Sequence, residues 1–150
     1  MTTVFVDTSV LITWFHAEGE HEVEAARALL AAHTEGVVEA RVLDLAVYEL
    51  GNVLTRSLRW PPDRVIDQVE DLMLLVGPPV VLDAAARADA AALAAAHRLT
   101  YYDASWAAVA RRHRAVLVSA DRQLLVAGLA VSAAAYVADH EAGGRPPPAG

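Results

Sequence analysis

The stretch VFVDTSVLITW (Val4–Trp14) begins as an apolar run typical of a buried strand, is interrupted by an aspartate and two hydroxyl residues, and then continues apolar. Because Asp7 directly follows strand-forming residues, it is predicted to lie at the carboxyl end of a strand, where open α/β sheets form their binding crevice. Aspartate is also a favoured helix N-cap. Asp7 is therefore either a functional carboxylate or the cap of a helix that starts near Thr8.

Short β-rich runs alternate with longer helical patterns along the chain. Apolar runs flanked by helical segments, such as Ala115–Val118, are typical of strands that are buried on both faces of a parallel sheet. This alternation predicts an α/β fold in which helices cover both faces of the sheet. Further strands are expected at Val4–Val6, near Arg41–Leu43, at Val80–Leu82 and near Val131.

Length and composition predict one soluble domain. A chain of 150 residues is long enough to bury a single core, and the lack of cysteine excludes disulfides, cysteine-based zinc sites and thiol nucleophiles. We expect a domain over residues 1–141 and a disordered Gly/Pro-rich tail over residues 142–150. The sequence has neither a signal peptide pattern nor an apolar stretch of membrane-spanning length, so we predict a cytoplasmic protein without membrane contact.

The charge balance argues against a generic polyanion binder, because the net charge is −7 and affinity for nucleic acid rests largely on basic residues. All 12 basic residues are arginine, which suits bidentate phosphate contacts. Genomic base composition is an alternative explanation of this bias in an alanine-rich chain. Two sequence clusters nevertheless offer local basic patches: Arg56, Arg59 and Arg64, and then Arg111, Arg112 and Arg114.

Two further aspartates lie at predicted helix starts. In AVLVSAD a strand runs into a helix, so that Ser119 and Asp121 are both able to cap it. Asp103 in YYDASWAAVA also has a capping position, but at about 100° per residue it shares a side of its helix with Trp106 and other apolar residues. The carboxylate of Asp103 is therefore predicted to point along the buried side.

Glu49 is the acid that capping does not explain. In DLAVYELGNVLTRSL it falls inside the apolar arc of a predicted helix, between Leu45 and Val53. A lone carboxylate that faces the core costs on the order of several kcal/mol, so Glu49 requires a partner. The two candidates are an internal ion pair with Arg56 and a metal ion shared with the other acids.

Convergence of the four acids at one sheet edge would raise their pKa values through mutual repulsion. A hard divalent cation removes this conflict, since Mg²⁺ prefers a few carboxylates together with several waters. Such an ion polarises a phosphoryl oxygen and lowers the pKa of bound water. The conjunction of acids therefore predicts metal-dependent hydrolysis of phosphodiester bonds.

Four segments carry a resemblance to a known family. VDTSVLI, YELGNVL, YYDASWAAVA and LVSADRQL, in this order, resemble the four acidic motifs of PIN-domain ribonucleases, and specifically of the VapC-type toxins of toxin–antitoxin pairs. The resemblance covers Thr3 to about His140. It implies a PIN-like single domain with a parallel sheet of four to five strands and helices on both faces, and Mg²⁺- or Mn²⁺-dependent endonucleolytic cleavage of RNA.

The resemblance also assigns roles to the four acids. Asp7 and Asp103 would be direct metal ligands, while Glu49 and Asp121 would hold the metal, its waters or a second ion. Ser119 stands where relatives often carry threonine. All four acidic positions of the family pattern are occupied by acids in this chain.

Supporting residues and partners follow from the same resemblance. Thr8 or Ser9 would add a hydroxyl to the metal or its waters, and Arg56, Arg111 and Arg112 are candidates for contacts to RNA phosphates. The implied partners are an RNA substrate and a separate antitoxin protein. We also expect a homodimer.

Two other functions stay open on the sequence alone. The first is a phosphohydrolase with Asp7 as nucleophile, similar to haloacid-dehalogenase-like enzymes; that pattern requires an aspartate where Ser9 stands and usually a lysine, which the chain lacks. The second is a non-catalytic binding module in which every acid is a cap. Glu49 argues against it, because a residue in the middle of a helix caps nothing.

Overall fold

Strands and helices alternate along the chain, as the sequence pattern predicts, in the computed structural model, which describes residues 1–17 and 22–143. A π-helical segment, Val53–Ser57, directly continues the third helix. The other elements, in chain order, are β1 Thr2–Val6, α1 Thr8–Phe15, α2 Val23–Thr34, β2 Val38–Arg41, α3 Leu45–Asn52, α4 Pro62–Val76, α5 Ala84–His97, α6 Tyr101–Arg112, β3 Val116–Val118, α7 Arg122–Val126 and α8 Ala133–Gly143.

The sheet is parallel, with β1 between β2 and β3. Val4 of β1 pairs with Ala40 on one side and with Val116 on the other. Val4, Phe5 and Val6 are completely buried, and successive strand residues point to opposite faces, so both faces of β1 are covered. α6 packs against β1 and β3, while α2 and α4 pack against β2. The predicted α/β class is confirmed.

The expected four to five strands are corrected to three strands in the described residues. A single parallel bridge lies at each edge of the sheet: Leu43 pairs with Val80, and Val118 pairs with Val131. Neither outer segment extends into a strand. The residues before Val80 are prolines, which have no N–H to donate to a ladder, and Val131 is followed almost at once by α8.

Helix α8 has no counterpart among the predicted elements, because its alanine-rich sequence shows little apolar periodicity. It packs against α2. The expected domain boundary after residue 141 falls inside α8, which ends at Gly143, and residues 144–150 of the expected tail lie outside the described residues. None of the helices within residues 1–17 and 22–143 is both long and apolar enough to cross a membrane.

The core positions the carboxyl edge of the sheet against α3 and α6. Trp106 of α6 is the largest completely buried side chain, and Phe5, Leu50 and Leu117 are buried with it. Burial of such side chains contributes roughly 1.5–3 kcal/mol each. The packing therefore fixes where α3 and α6 lie relative to the end of β1.

Candidate functional site

Asp7 lies at the carboxyl end of β1, and only 5% of its surface is exposed. Its Oδ2 accepts hydrogen bonds from Ser119 Oγ at 2.6 Å and from Ser9 Oγ at 3.0 Å. Burial raises the pKa of Asp7, the two serine hydrogen bonds oppose that rise, and the charge of Asp121 adds to it. Although Asp7 occupies the N-cap position of α1, its side chain makes no capping hydrogen bond. Capping therefore does not account for Asp7.

Two serines connect the end of β1 with the end of β3. Ser119 is completely buried, and its Oγ accepts the N–H of Asp121 at 2.9 Å while donating to Asp7. Ser9 Oγ accepts the N–H of Ala120 at 3.0 Å and lies 3.4 Å from Ser119 Oγ. The hydroxyls thus hold the Asp7 carboxylate and the backbone before Asp121 in one network.

Asp121 is a helix cap, as the sequence allowed. Its Oδ1 accepts the N–H groups of Gln123 at 2.9 Å and Leu124 at 3.1 Å, at the start of α7. Capping occupies one carboxylate oxygen, and the side chain is only partly buried. The carboxylate of Asp121 therefore caps α7, and its negative charge also raises the pKa of Asp7.

Asp103 lies in the first turn of α6, three residues after the N-cap and not at the capping position that the sequence pattern allowed. Thr100 is the N-cap, and its Oγ1 accepts the N–H of Asp103 at 3.1 Å. The half-buried carboxylate of Asp103 is therefore not needed for capping. Burial raises the pKa of Asp103, and the charges of Asp121 and Asp7 raise it further.

Glu49 is held by neutral donors rather than by an arginine. Its Oε1 accepts Thr8 Oγ1 and Trp106 Nε1, both at 3.2 Å. The ion pair with Arg56 is corrected: within the described ranges both salt bridges involve Arg112, and Arg56 is exposed in the π-helical segment. Burial raises the pKa of Glu49, the Trp106 hydrogen bond opposes this, and the charge of Asp7 adds to the rise.

The negative charge of at least one other acid raises the pKa of Asp7, of Glu49 and of Asp103, so each of the four acids acts electrostatically on, or is affected by, at least one of the others. No group of three or more histidine, aspartate or glutamate side chains in the described part of the chain is positioned to hold one metal ion. Mg²⁺ usually binds one or two carboxylates and keeps several waters. An Mg²⁺ ion at these acids would therefore be held partly through water and not by a cage of direct ligands.

Two of the three arginines proposed for RNA contacts, Arg111 and Arg112, lie away from the acids. Arg111 lies at the far end of α6, about 12 Å along the helix axis from Asp103. Arg112 pairs with Asp89 at 3.2 Å and with Asp83 at 3.8 Å, on the face shared with α5. Their contact with RNA stays a prediction.

Trp106 is a site residue whose role the sequence pattern did not reveal. The pattern places it in the buried face of α6, whereas the structure shows its indole N–H donating to Glu49. A signal was present, because a buried tryptophan usually requires a partner for its N–H. Glu49 and Trp106 are 57 residues apart, so only the fold identifies that partner.

Comparisons with known proteins identify one family model and two solved structures with a similar fold. The sequence profile of the PIN domain matches residues 4–128. The crystal structure of PAE2754 from Pyrobaculum aerophilum is 25% identical and superposes with a TM-score of 0.65, over 94% of this chain and 96% of that chain. FitAcB from Neisseria gonorrhoeae, at 20% identity, shares the fold with a TM-score of 0.63 over 86% of this chain and 96% of that chain. A comparison with curated protein sequences gives no significant match. Since the profile spans most of the sequence, the chain belongs to the PIN domain family.

Proposed function

We propose that this PIN-domain chain is a Mg²⁺- or Mn²⁺-dependent endoribonuclease and the VapC-type toxin of a toxin–antitoxin pair. The observation that carries the proposal is the carboxylate of Asp7, which is buried at the sheet edge, makes no capping hydrogen bond, and lies within electrostatic reach of other acids. A buried carboxylate without a cationic partner is costly unless a metal ion or a proton neutralises it.

The side chains of the site have distinct roles in this proposal. Asp7 and Asp103 would contact the metal, which when bound would polarise the RNA phosphate and lower the pKa of the attacking water. Ser9 and Ser119 orient Asp7, as their hydrogen bonds to its Oδ2 indicate. Thr8 would add a hydroxyl near the metal's waters, since it already donates to Glu49.

Glu49 and Asp121 are the remaining acids of the proposed site. The hydrogen bonds to Glu49 reach Oε1, and those to Asp121 reach Oδ1. The second oxygen of each carboxylate is then available for a water that the metal holds. This division suits Mg²⁺, which dehydrates reluctantly.

Replacing Asp7 by asparagine tests the reaction. Asp7→Asn keeps the size of the side chain and removes its charge, so cleavage of single-stranded RNA should fall by more than about 100-fold, beyond the loss typical of residues that only support a metal ligand. EDTA should abolish cleavage by the unaltered protein. Asp67→Asn, at an exposed aspartate of α4, is the matched control and should retain full activity. Metal-dependent cleavage by the Asp7→Asn variant would refute the mechanism.

The toxin role is tested in cells and by purification. Expression should arrest growth, the Asp7→Asn variant should not, and a small antitoxin encoded beside the toxin should co-purify with it and inhibit cleavage.

We include a homodimer and a cytoplasmic location, where the RNA substrates are, in this proposal. Light scattering of the purified protein measures the oligomeric state, and a monomer at micromolar concentration would contradict the dimer.

The two alternative functions are less well supported. Asp7 makes no capping hydrogen bond and Glu49 lies within α3, so a module whose acids are all caps does not fit these positions. Membership of the PIN family disfavours a haloacid-dehalogenase-like phosphohydrolase. Absence of a covalent phosphoenzyme after incubation with a phosphomonoester would exclude the latter directly.

A further inference from the structure

An open cleft lies between the first turns of α3 and α6 and the segment that enters α5. Its volume is about 360 Å³, within the range of ligand-binding clefts. Apolar groups dominate the lining, which includes Leu45 and Val81. Three of the chain's four tyrosines also line it: Tyr48, Tyr101 and Tyr102. The exposed tyrosines among the described residues are thus concentrated at one place.

The tyrosines are presented to solvent instead of being packed into the core. Tyr48 is 70% exposed and Tyr102 is 63% exposed. Tyr101 is anchored, because its hydroxyl donates to the backbone oxygen of Arg87 at 3.1 Å. Contiguous exposed apolar surface is a feature of ligand-binding grooves and interaction sites.

Two residues that line the cleft are close along the chain to acids of the proposed active site. Leu45, which lines the cleft, lies one turn before Glu49 on the same face of α3. Tyr102 immediately precedes Asp103 in the first turn of α6. The two helices that carry these acids, α3 and α6, therefore also form walls of the cleft.

We propose that this cleft, which we call the tyrosine cleft, binds an unpaired base of single-stranded RNA, with Tyr48 and Tyr102 stacking on its faces. The proposal rests on the proposed ribonuclease function and adds a base-binding subsite formed by residues of this chain. Aromatic side chains stack on unpaired bases of any sequence, whereas bases inside a duplex are already stacked and inaccessible. Stacking also suits a protein of net charge −7, which has few basic residues to hold phosphates.

Polar groups at the cleft favour a nucleotide over an apolar protein segment. Arg87 lines the cleft and uses Nη1 to bind the backbone oxygen of Leu82 at 2.9 Å, which orients a guanidinium that has further donors for a base edge or a phosphate. Asp44 and Ser105 also line the cleft, and the Asp44 carboxylate is able to accept a hydrogen bond from the amino group of a base.

Binding of a short fluorescein-labelled single-stranded RNA, measured by fluorescence anisotropy in EDTA, tests the tyrosine cleft without cleavage. Tyr48→Ala and Tyr102→Ala should each weaken binding by about tenfold or more. Tyr102→Phe keeps the ring and should bind like the unaltered protein, while Tyr102→Leu should bind as weakly as Tyr102→Ala. Leu74→Ala, at an exposed apolar residue of α4, is the control and should change nothing.

Several results would overturn the proposal. Equal binding by the Leu and Phe variants at position 102 would indicate general apolar contact, as expected for a docked protein segment. Undetectable binding of single-stranded RNA by the unaltered protein, or equal affinity for a duplex of the same sequence, would also exclude base stacking. Because no step requires catalysis, loss of binding in the tyrosine variants would stand even if Asp7→Asn retained cleavage, so the two proposals fail separately.

Discussion

Ser119 fixes the carboxylate of Asp7 through a 2.6 Å hydrogen bond and at the same time accepts the N–H of Asp121. The completely buried hydroxyl of Ser119 therefore orients both Asp7, the proposed metal ligand, and the backbone at Asp121. Residues that orient metal ligands typically contribute 10- to 100-fold to metal affinity or activity.

We expect Ser119→Ala to lower the RNA cleavage rate by about 10- to 100-fold, because Asp7 loses its shorter hydrogen bond. Ser119→Thr keeps the hydroxyl and should retain most of the rate. Initial rates over a Mn²⁺ titration measure the effect. Equal rates for the alanine and threonine variants would show that the hydroxyl has no positioning role.

Asp103 offers a second test at the scale of one residue. Since Thr100 caps α6, Asp103→Asn removes a charge repelled by Asp7 and Asp121 without removing a cap. The variant should melt at or above the temperature of the unaltered protein in EDTA, and it should gain less when Mg²⁺ is added, because metal binding stabilises the folded state by mass action. Thermal melts in both buffers measure this, and equal metal-induced shifts would mean that Asp103 is not a ligand.

At the scale of elements, Trp106 joins α6 to α3 through the indole N–H that it donates to Glu49. The side chain is completely buried, so it combines packing with a polar contact to a carboxylate that itself is half-buried. The position of Glu49 therefore depends on a helix 57 residues away in sequence.

Trp106→Phe removes the N–H and some volume, and should lower the free energy of unfolding by about 1–3 kcal/mol. Glu49→Ala, which removes the acceptor, combined with it gives a double-mutant cycle, in which we expect a coupling energy of at least about 0.5 kcal/mol because the two side chains are in contact. Urea unfolding in EDTA measures all four proteins. Additive effects would mean that Trp106 acts only through packing.

At the scale of the whole molecule, the raised pKa values of Asp7, Glu49 and Asp103 predict how stability changes with pH. In the folded state these carboxyls keep protons that the unfolded chain releases near the ordinary values of 3.8 for aspartate and 4.5 for glutamate. Stability without metal should therefore fall as pH rises from these values through the raised pKa values, and the penalty should be constant above them.

Asp7→Asn removes the most buried of these groups. In EDTA, the melting temperature of the variant relative to that of the unaltered protein should therefore increase as pH rises through this window. Melting curves over about pH 4 to 8 measure the difference. Asp67→Asn, at an exposed position, should keep a constant difference from the unaltered protein. A constant difference for Asp7→Asn as well would contradict a raised pKa at Asp7.

The sequence by itself determined the α/β class, the central strand before Asp7 and the four acids as candidates. These rest on local properties: apolar runs, helical periodicity and acids that follow strands are readable within a few residues. Glu49 was identified in the same way, because a carboxylate on the apolar face of a helix requires a partner.

Only the tertiary structure decided which partner each acid has. Arg56 is close to Glu49 in sequence, yet Glu49 contacts Thr8 and Trp106, because packing of α3 against the end of β1 and α6 brings distant residues together. The extent of the sheet was likewise decided by the connections at its edges, where prolines and the start of α8 limit the outer segments to single bridges. The tyrosine cleft also depends on the fold, since its walls come from segments that are far apart in the sequence.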